Sequence, residues 1–269
     1  MDEHAIALVH RHHRTPDGTT IAYSALGGRG PDVLLLHGLA GSGREMLESA
    51  RALGGRRAIV VDQRGHGRST RVPTDTSREA FVADVVGVLE RESSGPSDLV
   101  GQSMGGHTAM LVAAARPDLV RRLVLLEVDE GSGSEADREA MAAYFRSWPV
   151  PFADETAARA ALGDGALERA WVADLECRAD GLHPRFDADV MAAVAAGVAR
   201  PRWEEWGRVS APTLVVYADG GMFTPATKDR FVAAGRDVTR VDLAGASHDA
   251  HLDATDAWLA VLRDFLDAP

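Results

Sequence analysis

The sequence predicts an α/β fold in which helices cover both faces of a mainly parallel β-sheet. Short runs that are apolar at every position recur along the 269 residues, and such runs are typical of parallel strands buried on both faces. Helix-like segments separate the runs, and this alternation predicts parallel strands joined by helical crossovers. A Gly-x-Ser-x-Gly pentapeptide at 101–105 lies between one apolar run and one small-residue helix.

The predicted elements begin with a hairpin. Its strands, Ile6 to Arg14 and Thr20 to Leu26, flank the turn sequence Pro16-Asp17-Gly18. Later apolar runs predict buried strands at 33–36, 58–61, 96–100, 123–126, 214–217 and 238–243. Helices are predicted between these runs at 43–53, 77–91, 104–115, 225–234 and 254–266.

Residues 131–208 interrupt this alternation. They contain no strand-like run, and they read as amphipathic helices punctuated by prolines, at 135–147, 155–162, 167–177 and 187–198. We therefore expect a helical cap at 131–208, inserted after the sixth strand, and a core domain formed by 1–130 and 209–269.

Composition excludes several classes of protein. Hydrophobic residues make up 45% of the chain, and 40 acidic against 29 basic side chains give a formal charge of −11, which argues against a nucleic-acid partner. No apolar run approaches the roughly 18 residues of a membrane span, and the N-terminus lacks the apolar core of a signal peptide. We expect a cytoplasmic protein without a membrane partner. The single cysteine, Cys177, cannot form an internal disulfide, and we expect it to pack in a helix.

Ser103 is the candidate nucleophile. Gly101 and Gly105 allow the chain to turn sharply there, so that the hydroxyl stands exposed above the sheet. The same turn directs the N–H of Met104 and the N-terminus of the next helix at the place where an oxyanion would form.

The candidate base is His248, in the loop after the last strand, because a serine hydroxyl needs a base to take its proton. His251 is the alternative, but its position at the start of the final helix suggests that it faces solvent or the cap. The Leu39 N–H is the candidate second oxyanion donor, in the glycine-rich loop 37–42 after the first parallel strand. We expect His37 to orient that loop by hydrogen bonding. The histidines near the N-terminus lack the acidic partners of a metal site, so no metal is predicted.

Four segments together resemble the α/β-hydrolase superfamily, in its order and spacing. They are His37-Gly38, residues 61–69 (Val-Asp-Gln-Arg-Gly-His-Gly-Arg-Ser), the Ser103 turn and Gly245-Ala246-Ser247-His248. The resemblance covers nearly the whole chain. It implies an α/β-hydrolase fold with an eight-stranded sheet, a cap after strand six, and Ser–acid–His catalysis without a cofactor.

The chain departs from this family at the triad acid. The usual acid position, after the strand that follows the cap, holds Gly221. An imidazole that becomes protonated needs a carboxylate to orient and stabilise it. Glu127, at the end of strand six, is the preferred replacement, as in zearalenone lactonase and certain haloalkane dehalogenases, and Asp219 and Asp129 are the alternatives. Glu127 could instead anchor the cap by a salt bridge.

These residues predict a serine hydrolase that cleaves an ester or lactone through an acyl-enzyme. Serine at the turn disfavours haloalkane dehalogenases and epoxide hydrolases, which use aspartate there. A C–C bond hydrolase or lyase on the same scaffold, and a hydrolase-like small-molecule receptor, stay open, as does the oligomeric state, including a homodimer. The expected partner is a hydrophobic small-molecule substrate. The cap and its surroundings offer these pocket candidates: Trp148, Phe152, Trp171, Phe186, Trp203, Trp206, Met222 and Phe223.

Overall fold

Strands and helices alternate along the chain, as the sequence predicts. Residues 8–268 are described by a computed structural model. Its strands are β1 (Leu8–Arg14), β2 (Thr20–Leu26), β3 (Asp32–Leu36), β4 (Arg57–Val61), β5 (Ser97–Gln102), β6 (Val120–Leu126), β7 (Glu176–Arg178), β8 (Gly181–His183), β9 (Thr213–Gly220) and β10 (Val238–Ser247). Its α-helices are α1 (Leu47–Ala52), α2 (Arg78–Glu92), α3 (Met104–Ala115), α4 (Glu135–Arg146), α5 (Glu155–Leu162), α6 (Ala166–Asp174), α7 (Ala188–Val198), α8 (Trp203–Arg208), α9 (Pro225–Ala234), α10 (Ala250–Asp253) and α11 (Thr255–Asp267). Short 3-10 helices occur at Gly43–Met46 and Pro117–Leu119.

The central sheet has eight strands in the order β1-β2-β4-β3-β5-β6-β9-β10. The strands β1, β2 and β4 pair in antiparallel fashion, and every pair from β4 to β10 is parallel. The fold class is therefore confirmed. Because β5, β6 and β9 are neighbours, the residues that follow their carboxyl ends meet at one edge of the sheet.

Both faces of the sheet are buried, which explains the uninterrupted apolar runs. In β3, Leu34 and Leu36 pack into one core with residues of α2 and α3. Val33 and Leu35 pack into the opposite core with residues of α1 and α11. All four side chains are fully buried, so each parallel strand must be apolar at every position.

Between β6 and β9 the chain forms the helices α4 to α8 and a hairpin of β7 and β8. The sequence predicts no strand in this segment, and that expectation is wrong. Each of the two strands has three residues, too few for a period-2 pattern to be visible. The predicted helix 167–177 ends at Asp174, so Cys177 lies in β7 and is exposed. The expectation that it packs in a helix is also wrong.

The two ends of the chain differ in detail from the predicted elements. The hairpin strand β1 is described from Leu8, and the predicted start at Ile6 lies outside the described residues. The predicted final helix 254–266 corresponds to α11, and the separate helix α10, which was not predicted, precedes it. Among residues 8–268, no helix has both the length and the apolar character needed to cross a bilayer.

Candidate active site

Ser103 occupies a sharp turn between β5 and α3. Its backbone has φ 51° and ψ −120°, a conformation that is strained for a residue with a side chain. A Cβ at Gly101 would lie 2.4 Å from the carbonyl oxygen of Gly105, and a Cβ at Gly105 would lie 2.4 Å from that of Leu36. The turn can therefore close only because both positions are glycine.

Backbone strain is concentrated around this turn. Among residues 8–268, the non-glycine residues with positive φ are Ala40, Ser103 and Glu127. Ala40 belongs to the loop of the predicted oxyanion donor, Ser103 is the candidate nucleophile, and Glu127 is the candidate acid. Such residues persist only where the surrounding structure fixes them, and they cluster at functional sites.

Glu127 is placed to serve as the triad acid. It follows β6 directly, its side chain is fully buried, and its Oε2 lies 3.4 Å from Nδ1 of His248. Oε1 accepts a hydrogen bond of 2.8 Å from the N–H of Ala218, and Oε2 accepts one of 3.0 Å from the N–H of Met222. Burial by itself would raise the pKa of Glu127. The hydrogen bonds from His248 and the two backbone groups outweigh burial and hold the pKa below its usual value.

Gly221 leaves the space that the side chain of the candidate acid Glu127 occupies. A Cβ at residue 221 would lie 2.3 Å from Oε1 and 2.4 Å from Oε2 of Glu127. The Glu127 carboxylate thus occupies the space that a side chain at 221 would need. The two features depend on each other: a glutamate after β6 requires the glycine after β9.

The two alternative acids have other contacts. Asp219 is exposed, and its Oδ1 accepts a hydrogen bond of 2.9 Å from the N–H of Gly245. Asp129 accepts hydrogen bonds from the N–H of Gly131, at 2.9 Å, and from the hydroxyl of Ser132, and so holds the turn that follows β6. Within residues 8–268, neither carboxylate forms a hydrogen bond or an ion pair with His248.

His248 and Ser103 line the same cavity. In the described part of the chain no hydrogen bond joins the Ser103 hydroxyl to His248, and such contacts are often long or poorly aligned in unliganded sites. Gln102 connects the Ser103 turn to the loop that carries His248, because its Nε2 donates a hydrogen bond of 3.1 Å to the carbonyl oxygen of His248.

His251 lies elsewhere than the sequence suggests. It is 1% exposed, within α10, so it does not face solvent, which was one of the two placements expected from the sequence. Helix α10 is a single turn that lies against the 3-10 helix at Gly43–Met46. Nε2 of His251 lies 4.0 Å from Oε2 of Glu45 in that 3-10 helix.

The loop that carries Leu39 is held by His37. Nδ1 of His37 lies 2.7 Å from the carbonyl oxygen of Gly38, and Nε2 accepts the N–H of Gln63 at 3.0 Å. Burial lowers the pKa of His37 to about 4, so the ring is neutral at pH 7, with its proton on Nδ1. Leu39 lines the cavity, and its N–H forms no hydrogen bond among the described residues.

Met104 is the first residue of α3, where the N–H groups have no partner within the helix. It also lines the cavity. Its carbonyl oxygen accepts a hydrogen bond of 3.3 Å from Arg78, which is 1% exposed and also donates to Thr108. Sequence reasoning missed Arg78 as a support of this turn, because it lies at the start of a different helix, α2.

The cavity above Ser103 has a volume of about 380 Å³, and both polar and apolar residues line it. Of the predicted pocket residues, Met222 lines it. Trp148, Phe152 and Trp171 lie instead in an aromatic cluster formed by the segment between β6 and β9, in which the rings of Trp148 and Trp171 are 5.2 Å apart. The apolar part of the lining consists of Leu39, Met104, Met141, Phe145, Leu167, Ala195, Val198, Ala199 and Met222.

The remaining aromatic candidates pack away from the cavity. Phe223 contacts the ring of Tyr217 at 5.9 Å. Trp206 stacks on Phe231 at 4.4 Å and donates its indole N–H to the carbonyl oxygen of Phe231. Phe186 belongs to the same cap cluster as Trp148. Aromatic content alone did not separate the residues that fill the core from those that line the cavity.

Comparison with known proteins establishes the family. The model of the alpha/beta hydrolase family matches residues 33–261, and the chain belongs to this family. A mouse relative, sn-1-specific diacylglycerol lipase ABHD11, is 43% identical over 113 residues, which are 40% of this chain and 36% of the mouse protein. The chain thus aligns with about a third of that relative.

Other relatives match almost from end to end. The 2-(acetamidomethylene)succinate hydrolase of Mesorhizobium japonicum is 27% identical over 90% of both chains. The crystal structure of E-2-(acetamidomethylene)succinate hydrolase superposes with a TM-score of 0.88 and 25% identity, over 97% of this chain and 100% of that one. These relatives are hydrolases and lipases, and together with the family match they support hydrolase activity.

Proposed function

We propose that the protein is a serine hydrolase that cleaves a carboxylic ester or lactone of a hydrophobic small molecule. The observation that carries the proposal is the contact between Glu127 and Nδ1 of His248, at 3.4 Å, because His248 lines the same cavity as Ser103. A nucleophile, a base and an acid that orients the base are the parts that acyl transfer to water requires.

The reaction proceeds in two steps. His248 takes the proton of Ser103 while the hydroxyl oxygen attacks the carbonyl carbon of the ester. The N–H groups of Leu39 and Met104 donate hydrogen bonds to the resulting oxyanion. The intermediate collapses when the C–O bond to the alcohol breaks and His248 gives the proton to the leaving oxygen. Water, deprotonated by His248, then attacks the acyl-enzyme and releases the acid and Ser103.

Glu127 keeps His248 in the productive form. Because its carboxylate faces Nδ1, the ring carries its proton there and leaves Nε2 free to accept the proton of Ser103. The carboxylate also stabilises the imidazolium that forms during the reaction. Met222 connects acid and substrate: its N–H holds Glu127, while it lines the cavity.

The test is hydrolysis of p-nitrophenyl esters of increasing chain length, with the Ser103→Ala variant as control. We expect a burst of p-nitrophenol from the wild type, trapping of an acyl group on Ser103 by mass spectrometry, and neither result in the variant. Absence of both burst and turnover at every chain length would contradict the proposal. It would favour a lyase or a ligand receptor on the same scaffold.

A further inference from the structure

A glutamate other than Glu127, Glu45, lines the cavity above Ser103. Glu45, in the 3-10 helix Gly43–Met46, lines the same cavity as Ser103 and His248, and 6% of its side chain is exposed. A Cβ at Gly41 would lie 2.4 Å from Oε2 of Glu45. The carboxyl group therefore packs directly against the loop that carries Leu39.

Among the described residues, no cation balances this carboxyl group. Within residues 8–268, the only ion-pair contact of Glu45 is with Nε2 of His251, at 4.0 Å. Both ring nitrogens of that buried histidine lack a hydrogen-bond partner in the described chain. Burial lowers the pKa of His251 to about 4, so the ring is neutral at pH 7.

The other neighbours of Glu45 are mostly acidic. Burial is the main cause that raises the pKa of Glu45 well above its usual value. Asp249 before α10, Asp174 in α6 and Asp62 after β4 raise it further, and the N–H of Ser42 opposes them without prevailing. On the outer side, the walls of a groove that also reaches Glu45 include the charged residues Arg44, Glu48, Arg51 and Arg68. In the described structure none of the three arginines pairs with Glu45.

The two glutamates of the site thus have opposite environments. Glu127 accepts hydrogen bonds from two backbone N–H groups and faces His248, so it is ionised at neutral pH. Glu45 is buried, lies near other carboxylates and has no cation beside it among the described residues, so its surroundings favour the protonated form. Paired carboxyl groups held in different protonation states have different chemical roles. A protonated carboxyl group can donate a hydrogen bond, whereas a carboxylate can only accept one.

We propose that Glu45 is a specificity-determining residue, which donates a hydrogen bond from its uncharged carboxyl group to a neutral oxygen of the substrate. The inference rests on the proposed ester hydrolysis and specifies its substrate class: neutral esters or lactones with a second oxygen, rather than esters that carry a carboxylate.

The charged residues of the cavity also support a preference for neutral substrates over substrates that carry a carboxylate. Its charged or titratable lining residues are Glu45, Asp137, Arg138, His248 and Asp249. Arg138 lies in α4 with Asp137, and its Nη1 donates to the carbonyl oxygen of Gly133. A substrate carboxylate that reached Glu45 would meet Asp249 there, and it would lose its hydration without gaining a cation.

Three p-nitrophenyl esters of equal acyl length test the proposal: one with a plain methylene chain, one with a ketone in the chain, and one ending in a carboxylate. The variants are Glu45→Gln, which keeps a donor of the same shape, and Glu45→Leu, which removes it. The matched control is Glu48→Gln, the same change on an exposed residue three positions away.

We expect the wild type to favour the ketone ester over the carboxylate ester by at least about tenfold in kcat/KM. Glu45→Leu should lower the ratio of ketone to methylene ester about tenfold, mainly through KM, as the loss of one buried hydrogen bond predicts. Glu45→Gln and Glu48→Gln should keep the ratio. In the wild type, KM for the ketone ester should rise as the pH increases and Glu45 ionises, and in Glu45→Gln it should not.

An unchanged ratio in Glu45→Leu, or equal hydrolysis of the carboxylate and ketone esters, would overturn the inference. If the wild type hydrolyses none of the esters, the proposed function fails by itself. Calorimetry then measures binding of the same esters to Ser103→Ala, with and without Glu45→Leu, and tests the role of Glu45 without depending on turnover. Tenfold weaker binding of the ketone ester in the double variant supports the role of Glu45, and equal or absent binding refutes it.

Discussion

Replacement of Glu127 by glutamine is the most direct test of the acid assignment. The amide side chain would have nearly the same shape as the carboxylate, and its oxygen could still accept a hydrogen bond from the N–H of Ala218 or Met222. What the substitution removes is the negative charge beside Nδ1 of His248. The fold should therefore survive, while the imidazolium formed during catalysis loses its partner.

The expected loss follows from the distance between the two groups. A carboxylate and an imidazolium 3.4 Å apart attract each other by about 5 kcal/mol at an effective dielectric constant of about 20. Since about 1.4 kcal/mol corresponds to a factor of ten in rate, kcat should fall between about 10³-fold and 10⁴-fold. A loss of about 10⁴-fold is typical when the acid of a Ser–His–Asp triad becomes an amide.

The assay is steady-state hydrolysis of the best p-nitrophenyl ester, together with thermal unfolding followed by circular dichroism. Asp219→Asn is the matched control, because it makes the same kind of change at the alternative acid, whose carboxylate instead accepts the N–H of Gly245. It should stay within about twofold of the wild type. Near-normal turnover in Glu127→Gln, or a large loss in Asp219→Asn, would refute the assignment.

Further predictions concern the surroundings of this triad. Gly221→Ala should lower kcat at least tenfold, because the added Cβ would lie 2.3 Å from Oε1 of Glu127; burst kinetics measure this, and normal kcat would show that the carboxylate can move without consequence. The raised pKa of Glu45 means that its protonated form stabilises the fold below the usual carboxyl pKa, and that this contribution is lost as pH rises towards the folded-state value. The Tm of Glu45→Gln should therefore gain on that of the wild type as pH increases, and a pH-independent difference would contradict the burial argument. Trp206→Ala should destabilise the protein by about 3–5 kcal/mol in urea unfolding, because the ring is fully buried against Phe231, whereas Met222→Ala, on a side chain that lines the cavity, should alter KM with little change in stability; the reverse pattern would show that core and cavity are wrongly assigned.

The prediction of Glu127 as the triad acid had a chemical reason. A charged residue that ends an apolar strand needs a partner, and Gly221 left the usual position without a carboxylate. The structure adds the steric relation between Glu127 and Gly221, which no linear pattern could show. It also adds Glu45, whose environment is made by α6, α10 and the end of β4, elements far apart in the chain.

The pocket shows where sequence reasoning stopped. Tryptophan and phenylalanine are equally apolar in a core and in a ligand cavity, so composition could not distinguish Trp148, which packs within the cap, from Met222, which lines the cavity. The burial of His251 was missed for a similar reason. Helix α10 is one turn long, and whether so short a helix faces solvent depends on what packs against it.

The sequence by itself determined the parallel sheet, the Ser103 turn and the order of the candidate triad residues, because these depend on local periodicity, glycine geometry and the spacing of motifs. Tertiary structure alone decided which side chains share a cavity and which carboxyl groups have a raised or a lowered pKa. Those properties depend on burial and on neighbouring charges from distant segments, and the electrostatic free energy of a group is set by everything around it. Thus Glu127 could be proposed as the acid from its place at the end of a strand, whereas the raised pKa of Glu45 became visible only in the folded chain.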